Sequence, residues 1–178
     1  MISQEQPDKA EEIAFADVVD WVHDDANPRN WSLTRKFSAA AVVAGIGFVC
    51  TLAASIYGPG REGVAEDFGV STTVSLLPLT FYNLGMALGP IIASPMSETL
   101  GRKTVYLITT PTFAVFALSA GFTQSIEALT ICRFFAGAFG APGVSIASAT
   151  ISDVFSPKER AIPITFYYHV PFIGSLLG

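Results

Sequence analysis

The chain has 178 residues, of which 51% are hydrophobic and only 14% are charged, and its mean hydropathy is +0.48. Soluble domains carry about 25% charged residues, so this composition excludes an ordinary water-soluble fold and indicates a protein embedded in a lipid bilayer. The net charge of −5 is concentrated at one end, because eight of the fifteen acidic residues lie in the first thirty positions. The acidity therefore belongs to an N-terminal tail and does not indicate a nucleic-acid-binding surface.

The tail comprises residues 1–36 and is predicted to be mostly disordered, because it is rich in Asp and Glu and poor in apolar residues. It has neither the basic start nor the short apolar run of a cleavable signal peptide. We therefore expect the first apolar segment after it to act as an uncleaved signal for membrane insertion.

Five apolar segments follow the tail, and each approaches the ~20 residues with which a helix crosses a bilayer at about 1.5 Å per residue. The predicted spans are residues 37–57, 74–97, 104–122, 126–151 and 160–178. The fifth is still apolar at Gly178, so residues 37–178 are expected to form an incomplete helical bundle from a longer protein. The sequence thus predicts an all-α membrane protein.

Local signals set the predicted ends of these spans. Gly58-Pro59-Gly60 is expected to break the first helix and open a loop to residue 73, in which Ser71 can cap the next helix. The link 123–125 is short enough to make the third and fourth spans antiparallel neighbours. Ser156-Pro157-Lys158-Glu159 has the form of a capping box that starts the fifth span.

Lysine and arginine flank the spans unevenly, which predicts their orientation. Seven basic residues fall on one side of the predicted bundle, and only Arg61 falls on the other. The seven are Arg29, Arg35, Lys36, Arg102, Lys103, Lys158 and Arg160. Because cytosolic loops carry the excess of Lys and Arg, the N-terminus is predicted to be cytosolic.

Apart from Arg160 at the start of the fifth span, Arg133 is the only arginine or lysine inside a predicted span. A charged side chain there costs ~2.5–3.5 kcal/mol on insertion scales, so it persists mainly where it faces protein or a watery cavity. We therefore predict that Arg133 lies on a substrate or proton path and pairs with a carboxylate or a carbonyl. The alternative is an arginine that snorkels to the outer headgroups. Glu127, six residues earlier, is interpreted as interfacial.

Glycines indicate where the helices approach one another. Gly137 follows Arg133 on the same helix face and would let a second helix approach beside the arginine. Small residues spaced four apart also occur in the second and fifth spans, at Gly85 with Gly89 and at Gly174 with Gly178. Both pairs predict close helix packing.

The turn between the second and third spans concentrates charge at Glu98, Arg102 and Lys103. Gly101 permits a tight reversal, and the two basic residues are expected to hold the turn at the cytosolic surface. Glu98 can pair with them or cap a helix N-terminus elsewhere. Charge pairs that form in only one conformation can bias a two-state protein, so these residues are predicted to form a switch. Plain topological anchoring is the alternative.

Three segments resemble motifs of the major facilitator superfamily. Residues 94–106, SPMSETLGRKTVY, resemble motif A in the form common in fungal drug:proton antiporters. Residues 133–137, RFFAG, are similar to motif B, whose arginine is associated in the family with proton coupling. Residues 170–178, VPFIGSLLG, resemble the start of motif C, the antiporter signature, through Pro171, Gly174 and Gly178. Between them, residues 153–160, which include Asp153 and Arg160, look like the cytosolic link between helices four and five.

The resemblance covers about residues 24–178 and implies a fold of twelve helices in two six-helix bundles, of which this chain holds a little under five. It implies a proton-driven exporter of drugs, polyamines or similar small organic molecules in the plasma or vacuolar membrane. The implied partners are the substrate, protons and the bilayer, without a cofactor or nucleic acid. Two alternatives remain, a sugar or organic-anion symporter and a non-transporting truncated membrane protein. An enzyme is disfavoured, since no metal-ligand cluster and no nucleophile–histidine pair is recognisable.

Overall fold

The computed structural model describes residue 24, residues 27–157 and residues 159–178. Throughout these ranges the regular structure is helical, which confirms the predicted all-α class. The described α-helices are α1 (Leu33–Ser55), α2 (Tyr57–Asp67), α3 (Leu77–Thr99), α4 (Arg102–Gly121), α5 (Ile126–Ser145), α6 (Ala147–Val154) and α7 (Ala161–Leu177). Most of the tail predicted to be disordered lies outside the described residues.

Four stretches of the described chain are long and apolar enough to cross a membrane. They are Leu33–Ser55, Val74–Thr99, Arg102–Gly121 and Ile126–Val154, while the fifth apolar helix, α7, has 17 residues. Their outer faces expose large apolar side chains such as Ile91, Ile92 and Leu118, which are 67%, 73% and 67% exposed. Exposed apolar surface of this kind suits contact with lipid, and the chain is an integral multi-pass membrane protein.

The predicted helix break at Gly58-Pro59-Gly60 is wrong. Helix α1 ends at Ser55, and after Ile56 the chain continues as α2 to Asp67. Pro59 falls in the first turn of α2, where its missing N–H would have had no helical partner in any case. The joint therefore lies at Ile56, and the connection to the next helix is confined to residues 68–73. There the Ser71 hydroxyl accepts the Val74 N–H at 3.4 Å, but Ser71 is not the N-cap residue of the helix that follows, contrary to the prediction.

The fourth predicted span is divided into two helices. Helix α5 ends at Ser145 and α6 begins at Ala147, with Ile146 between them. Pro142 has no N–H to donate to the Ala138 carbonyl, so one helical hydrogen bond is missing one turn before Ile146's own. The hydrogen bonds continue across the joint, where the Ile146 N–H donates to the Pro142 carbonyl at 3.1 Å and the Thr150 N–H donates to the Ile146 carbonyl at 2.9 Å. The two helices therefore follow each other as one predicted span, with a local irregularity at Ile146.

The predicted capping box at Ser156 is also wrong. Helix α7 begins only at Ala161. The Ser156 backbone carbonyl accepts the N–H groups of Glu159 and Arg160 at 2.9 and 3.0 Å, which forms a turn before the helix. The residue that precedes the first turn of α7 is Arg160, so Ser156 does not cap this helix.

Glycines bring α3 and α5 into close contact. A Cβ at Gly85 would collide with the Phe134 carbonyl, and a Cβ at Gly137 would collide with the Tyr82 carbonyl. At Gly89 an added Cβ would lie 2.5 Å from the Ala138 carbonyl oxygen. The predicted packing role of these glycines is confirmed, and the structure identifies the opposite helix as the partner.

Helix α7 packs against α1 in the same way. A Cβ at Gly174 would lie 2.8 Å from the Phe48 carbonyl oxygen, and one at Gly178 would lie 2.6 Å from the Ile56 nitrogen. Helices α4 and α5 are joined by residues 122–125 and lie side by side, as predicted. The Ser125 hydroxyl caps α5 by accepting the Ala128 N–H at 3.3 Å. The bundle thus places α1, α3 and α5 around a shared interior.

Candidate functional site

Arg133 lies in that interior, about two turns into α5. Its Nη1 donates a hydrogen bond to the backbone carbonyl of Ala53 at 2.7 Å. Ala53 is two residues from the end of α1, so its carbonyl is one of the four that the helix leaves without an internal partner. The guanidinium therefore acts as a side-chain cap on α1, donated from another helix.

Two tyrosine rings flank the Arg133 guanidinium. Its central carbon lies 4.9 Å from the ring centroid of Tyr57 and 5.9 Å from that of Tyr82. The Tyr57 hydroxyl donates to the Ser75 carbonyl and the Tyr82 hydroxyl donates to the Cys50 carbonyl, both at 2.8 Å. Hydrogen bonding fixes both rings, so the cation–π contacts are held in place. Arg133 thus joins α5 to α1, α2 and α3.

The Nε donor of the Arg133 side chain is buried but unused. Its Nε is buried and has no hydrogen-bond partner among the described residues. The sequence predicted that Arg133 pairs with either a carboxylate or a carbonyl. In the structure the partner of its Nη1 is the Ala53 carbonyl. Glu127 is exposed at the start of the same helix. A half-buried arginine with a free Nε can accept a further partner, such as an anionic or carbonyl oxygen.

The charged turn forms a second cluster at the opposite end of the bundle. Gly101 adopts φ +82°, a conformation that strongly favours glycine, and α4 begins at the next residue. Arg102 Nε donates to Asp153 Oδ2 near the end of α6 in a short charge-assisted hydrogen bond. This contact joins the motif A-like turn to the link after the fourth span.

Among the described residues Glu98 forms no ion pair with Arg102 or Lys103, which was one of the two roles predicted for it. Arg102 turns towards α6, and the described residues contain no ion pair to Glu98 or Lys103. Arg160, which the sequence also selected, is exposed and similarly without an ion pair in the described chain. The structure therefore brings together Arg102 and Asp153, while Glu98, Lys103 and Arg160 form no ion pair with a described residue.

Pro171 and its neighbours on α7 face α1. The Thr51 hydroxyl lies 2.9 Å from the Pro171 carbonyl oxygen, and the hydroxyls of Ser55 and Ser175 are 3.1 Å apart. These polar contacts stand beside the close approach at Gly174. The motif C-like segment thus forms a packed and hydrogen-bonded seam with the first span.

Sequence reasoning missed the groups that surround Arg133. Tyr82 is 1% exposed in the middle of an apolar span, and Tyr57 is 5% exposed at the joint between α1 and α2. A buried tyrosine needs a partner for its hydroxyl, so a mid-span tyrosine was an available signal of a polar contact. The Ala53 carbonyl gave no signal, because its availability depends on where α1 ends.

Comparison with known proteins identifies the family of this chain. The sequence profile of the Major Facilitator Superfamily matches residues 43–178. The chain belongs to this superfamily. No solved structure matches the chain significantly.

Fungal members of the superfamily are among the relatives. Polyamine transporter 4 of Saccharomyces cerevisiae is 34% identical over 161 residues, which cover 88% of this chain and 24% of the relative. A major facilitator superfamily multidrug transporter of Aspergillus fumigatus is 33% identical over 155 residues, covering 86% and 26% of the two chains. The ascochitine biosynthesis cluster MFS transporter of Didymella fabae is 31% identical, covering 87% and 30%.

The chain spans about a quarter to a third of the length of the curated relatives that it matches. Within the Major Facilitator Superfamily match lie Arg133, the Arg102–Asp153 pair and the α1–α7 seam. The three contacts connect helices far apart in sequence. They therefore define how this part of the superfamily fold is held together around its interior.

Proposed function

We propose that this chain is the N-terminal part of a proton-coupled exporter of drugs, polyamines or similar small organic molecules. The observation that carries the proposal is Arg133, a cation inside a membrane span with a buried and unused Nε donor. Intramembrane ionisable residues mark substrate and ion pathways by default. The names of the polyamine and multidrug transporters among the relatives support this class of substrate.

The proposed role of Arg133 follows from its contacts. Its guanidinium holds the Ala53 carbonyl at the joint between α1 and α2, and the free Nε can engage a second group. A change in the protonation of a neighbouring group, or a protein oxygen or the oxygen of an oxygen-bearing drug near the Nε, would alter the balance between the two contacts. The position of the α1 end would then respond to the state of the pathway.

The Arg102–Asp153 pair is proposed as the switch at the cytosolic end. It joins the first residue of α4 to the end of α6, so the two helices can separate only if the pair breaks. Transporters of this kind bind substrate between two bundles and rock around the site. Glu98 and Lys103 remain available to a second bundle, and Gly101 sets the turn that presents them.

The proposed cytosolic placement of this end predicts an asymmetric labelling pattern. In a chain with Cys50 and Cys132 replaced by serine, a cysteine at Lys103 should react with an impermeant maleimide only after the membrane is opened. A cysteine at Arg61, on exposed α2, should react in intact cells. The opposite pattern would contradict the proposed orientation.

Transport itself is tested with a longer carrier that contains this chain and a second bundle. In an efflux-deficient yeast, this carrier should lower the accumulation of spermidine or of a cationic drug, and collapse of the proton gradient should abolish the difference. The 178-residue chain alone is the control and should not transport, because the site requires both bundles. Higher accumulation of a sugar or organic anion under the gradient would support the symporter. No effect on any substrate would contradict both.

A further inference from the structure

We propose that Tyr167 on α7 is a positioning residue for the fourth span, whose two helices carry Arg133 and Asp153. Its hydroxyl holds the joint between α5 and α6, and the joint sets how the two charged sites lie relative to each other. The consequence for export rests on the transport function proposed above, whereas the role of Tyr167 at the joint does not.

The joint is the local irregularity at Ile146. Helix α5 ends at Ser145 and α6 begins at Ala147. The last four carbonyls of a helix lie where its internal hydrogen-bond pattern ends, so side chains of other helices can bind them. Val144 is next to last in α5, and its carbonyl accepts the Tyr167 hydroxyl at 2.8 Å. A side chain of α7 therefore caps the end of α5.

Burial makes this cap a fixed contact. Tyr167 and Ile146 are each 2% exposed and Ala147 is 0% exposed, so the described helices already enclose both the joint and its cap. On the α1 side, a Cβ at Gly47 would lie 3.5 Å from the Tyr167 ring, an ordinary van der Waals distance. A buried phenol needs a partner for its hydroxyl, and the Val144 carbonyl provides it.

The joint leaves one of its own polar groups unpaired. The Ser145 hydroxyl is buried and has no hydrogen-bond partner among the described residues. Elsewhere in the bundle the hydroxyls of Ser119 and Thr130 donate to the carbonyl four residues earlier, at 2.8 and 2.7 Å. Because an unpaired buried hydroxyl destabilises the arrangement that contains it, the joint needs a stabilising contact from outside the fourth span. The Tyr167 hydroxyl supplies that contact.

The charged sites of the span lie on opposite sides of this joint. Arg133 ties α5 to α1, and Asp153 ties α6 to α4. A second contact joins α6 to α4, because the hydroxyls of Tyr106 and Thr150 are 3.4 Å apart. Packed helices move as units between discrete arrangements, so a loosened joint would let α6 move without α5. Tyr167 therefore couples the Arg133 contact to the switch at the cytosolic end.

Hydrogen exchange tests the joint on the 178-residue chain in detergent. Tyr167→Phe removes the hydroxyl and keeps the ring. The backbone amides of residues 147–150 should then exchange about fivefold faster or more, which corresponds to the loss of about 1 kcal/mol. Exchange in Leu77–Thr99 should not change, because that helix does not contain the joint.

Tyr168→Phe is the matched control, because Tyr168 is the next residue on the same helix and is 59% exposed in this chain. It should leave exchange at residues 147–150 unchanged. Equal exchange in Tyr167→Phe and the unmodified chain would overturn the role at the joint, as would an equal rise in Tyr168→Phe. Faster exchange throughout the bundle in Tyr167→Phe would also overturn it, since the hydroxyl would then stabilise the whole fold.

Export by the longer carrier tests the coupling. Tyr167→Phe should lower the maximal rate of gradient-driven export by about fivefold or more and keep the half-saturating substrate concentration within about twofold, because no substrate contact is removed. Each rate is measured against membrane abundance. Unchanged export by an abundant variant would overturn the coupling role. No export by the unmodified carrier would contradict the proposed function, and the exchange rates would still decide the role of Tyr167 at the joint.

Discussion

Replacing Gly137 with leucine is expected to separate α3 from α5 and to prevent the bundle from folding stably. Even the first atom of the new side chain, its Cβ, would collide with the backbone carbonyl of Tyr82. A backbone atom cannot rotate away as a side-chain end can, so the whole helix must move. Overpacking of a core typically lowers the free energy of unfolding by about 1–3 kcal/mol. Because the atom that Gly137→Leu would strike belongs to the backbone, we expect a loss at or above the upper end of that range.

The effect of the Gly137 substitution can be measured on the 178-residue chain in detergent. Gly137→Leu should lower the temperature of half-aggregation strongly or remove the monodisperse peak in size-exclusion chromatography. Gly45→Ala is the control, because Gly45 is also in a helix but a Cβ there meets no atom within 4 Å. That change should be neutral or stabilising by up to about 1 kcal/mol, since alanine favours helices. Equal melting of the two variants would contradict the proposed packing.

The helical framework was readable from the sequence because the bilayer imposes it. Runs of apolar residues at Leu33–Ser55 or Arg102–Gly121 have no other structure available to them in lipid, and glycines such as Gly85 mark the contacts between them. The ends were harder to predict, because Pro59 lies in the first turn of a helix where a break was expected. The effect of a proline depends on how far it lies from the start of its helix, and the sequence alone does not show where that helix starts.

The partners within the candidate site were less predictable than its residues. Sequence reasoning selected Arg102, Arg133 and Asp153 separately, but the pairing of Arg102 with Asp153 joins residues 51 positions apart. Arg133 finds a backbone carbonyl 80 positions away, and any residue type could have provided that carbonyl. Contacts to backbone atoms leave no residue signature, so only the folded arrangement reveals them.

Replacing Arg133 with alanine in the longer carrier is expected to reduce proton-driven export by at least tenfold. The change removes the hydrogen bond to the Ala53 carbonyl and the free Nε. Hydrogen bonds to charged groups are worth about 1.5–3 kcal/mol, which corresponds to roughly 10- to 100-fold. Arg133→Lys keeps the charge but loses the planar fork, so it should restore export only in part.

A control variant at another charged residue of the same helix shows whether the loss of export is specific to Arg133. Glu127→Gln changes the charge of an exposed residue on the same helix, and its export should equal that of the unmodified carrier. Efflux of a cationic drug is measured against membrane abundance for each variant, with and without a proton gradient. A variant that is abundant but loses only gradient-dependent efflux would support coupling through Arg133. Unchanged export in Arg133→Ala would contradict it, and the hydrogen bond to Ala53 would then be purely structural.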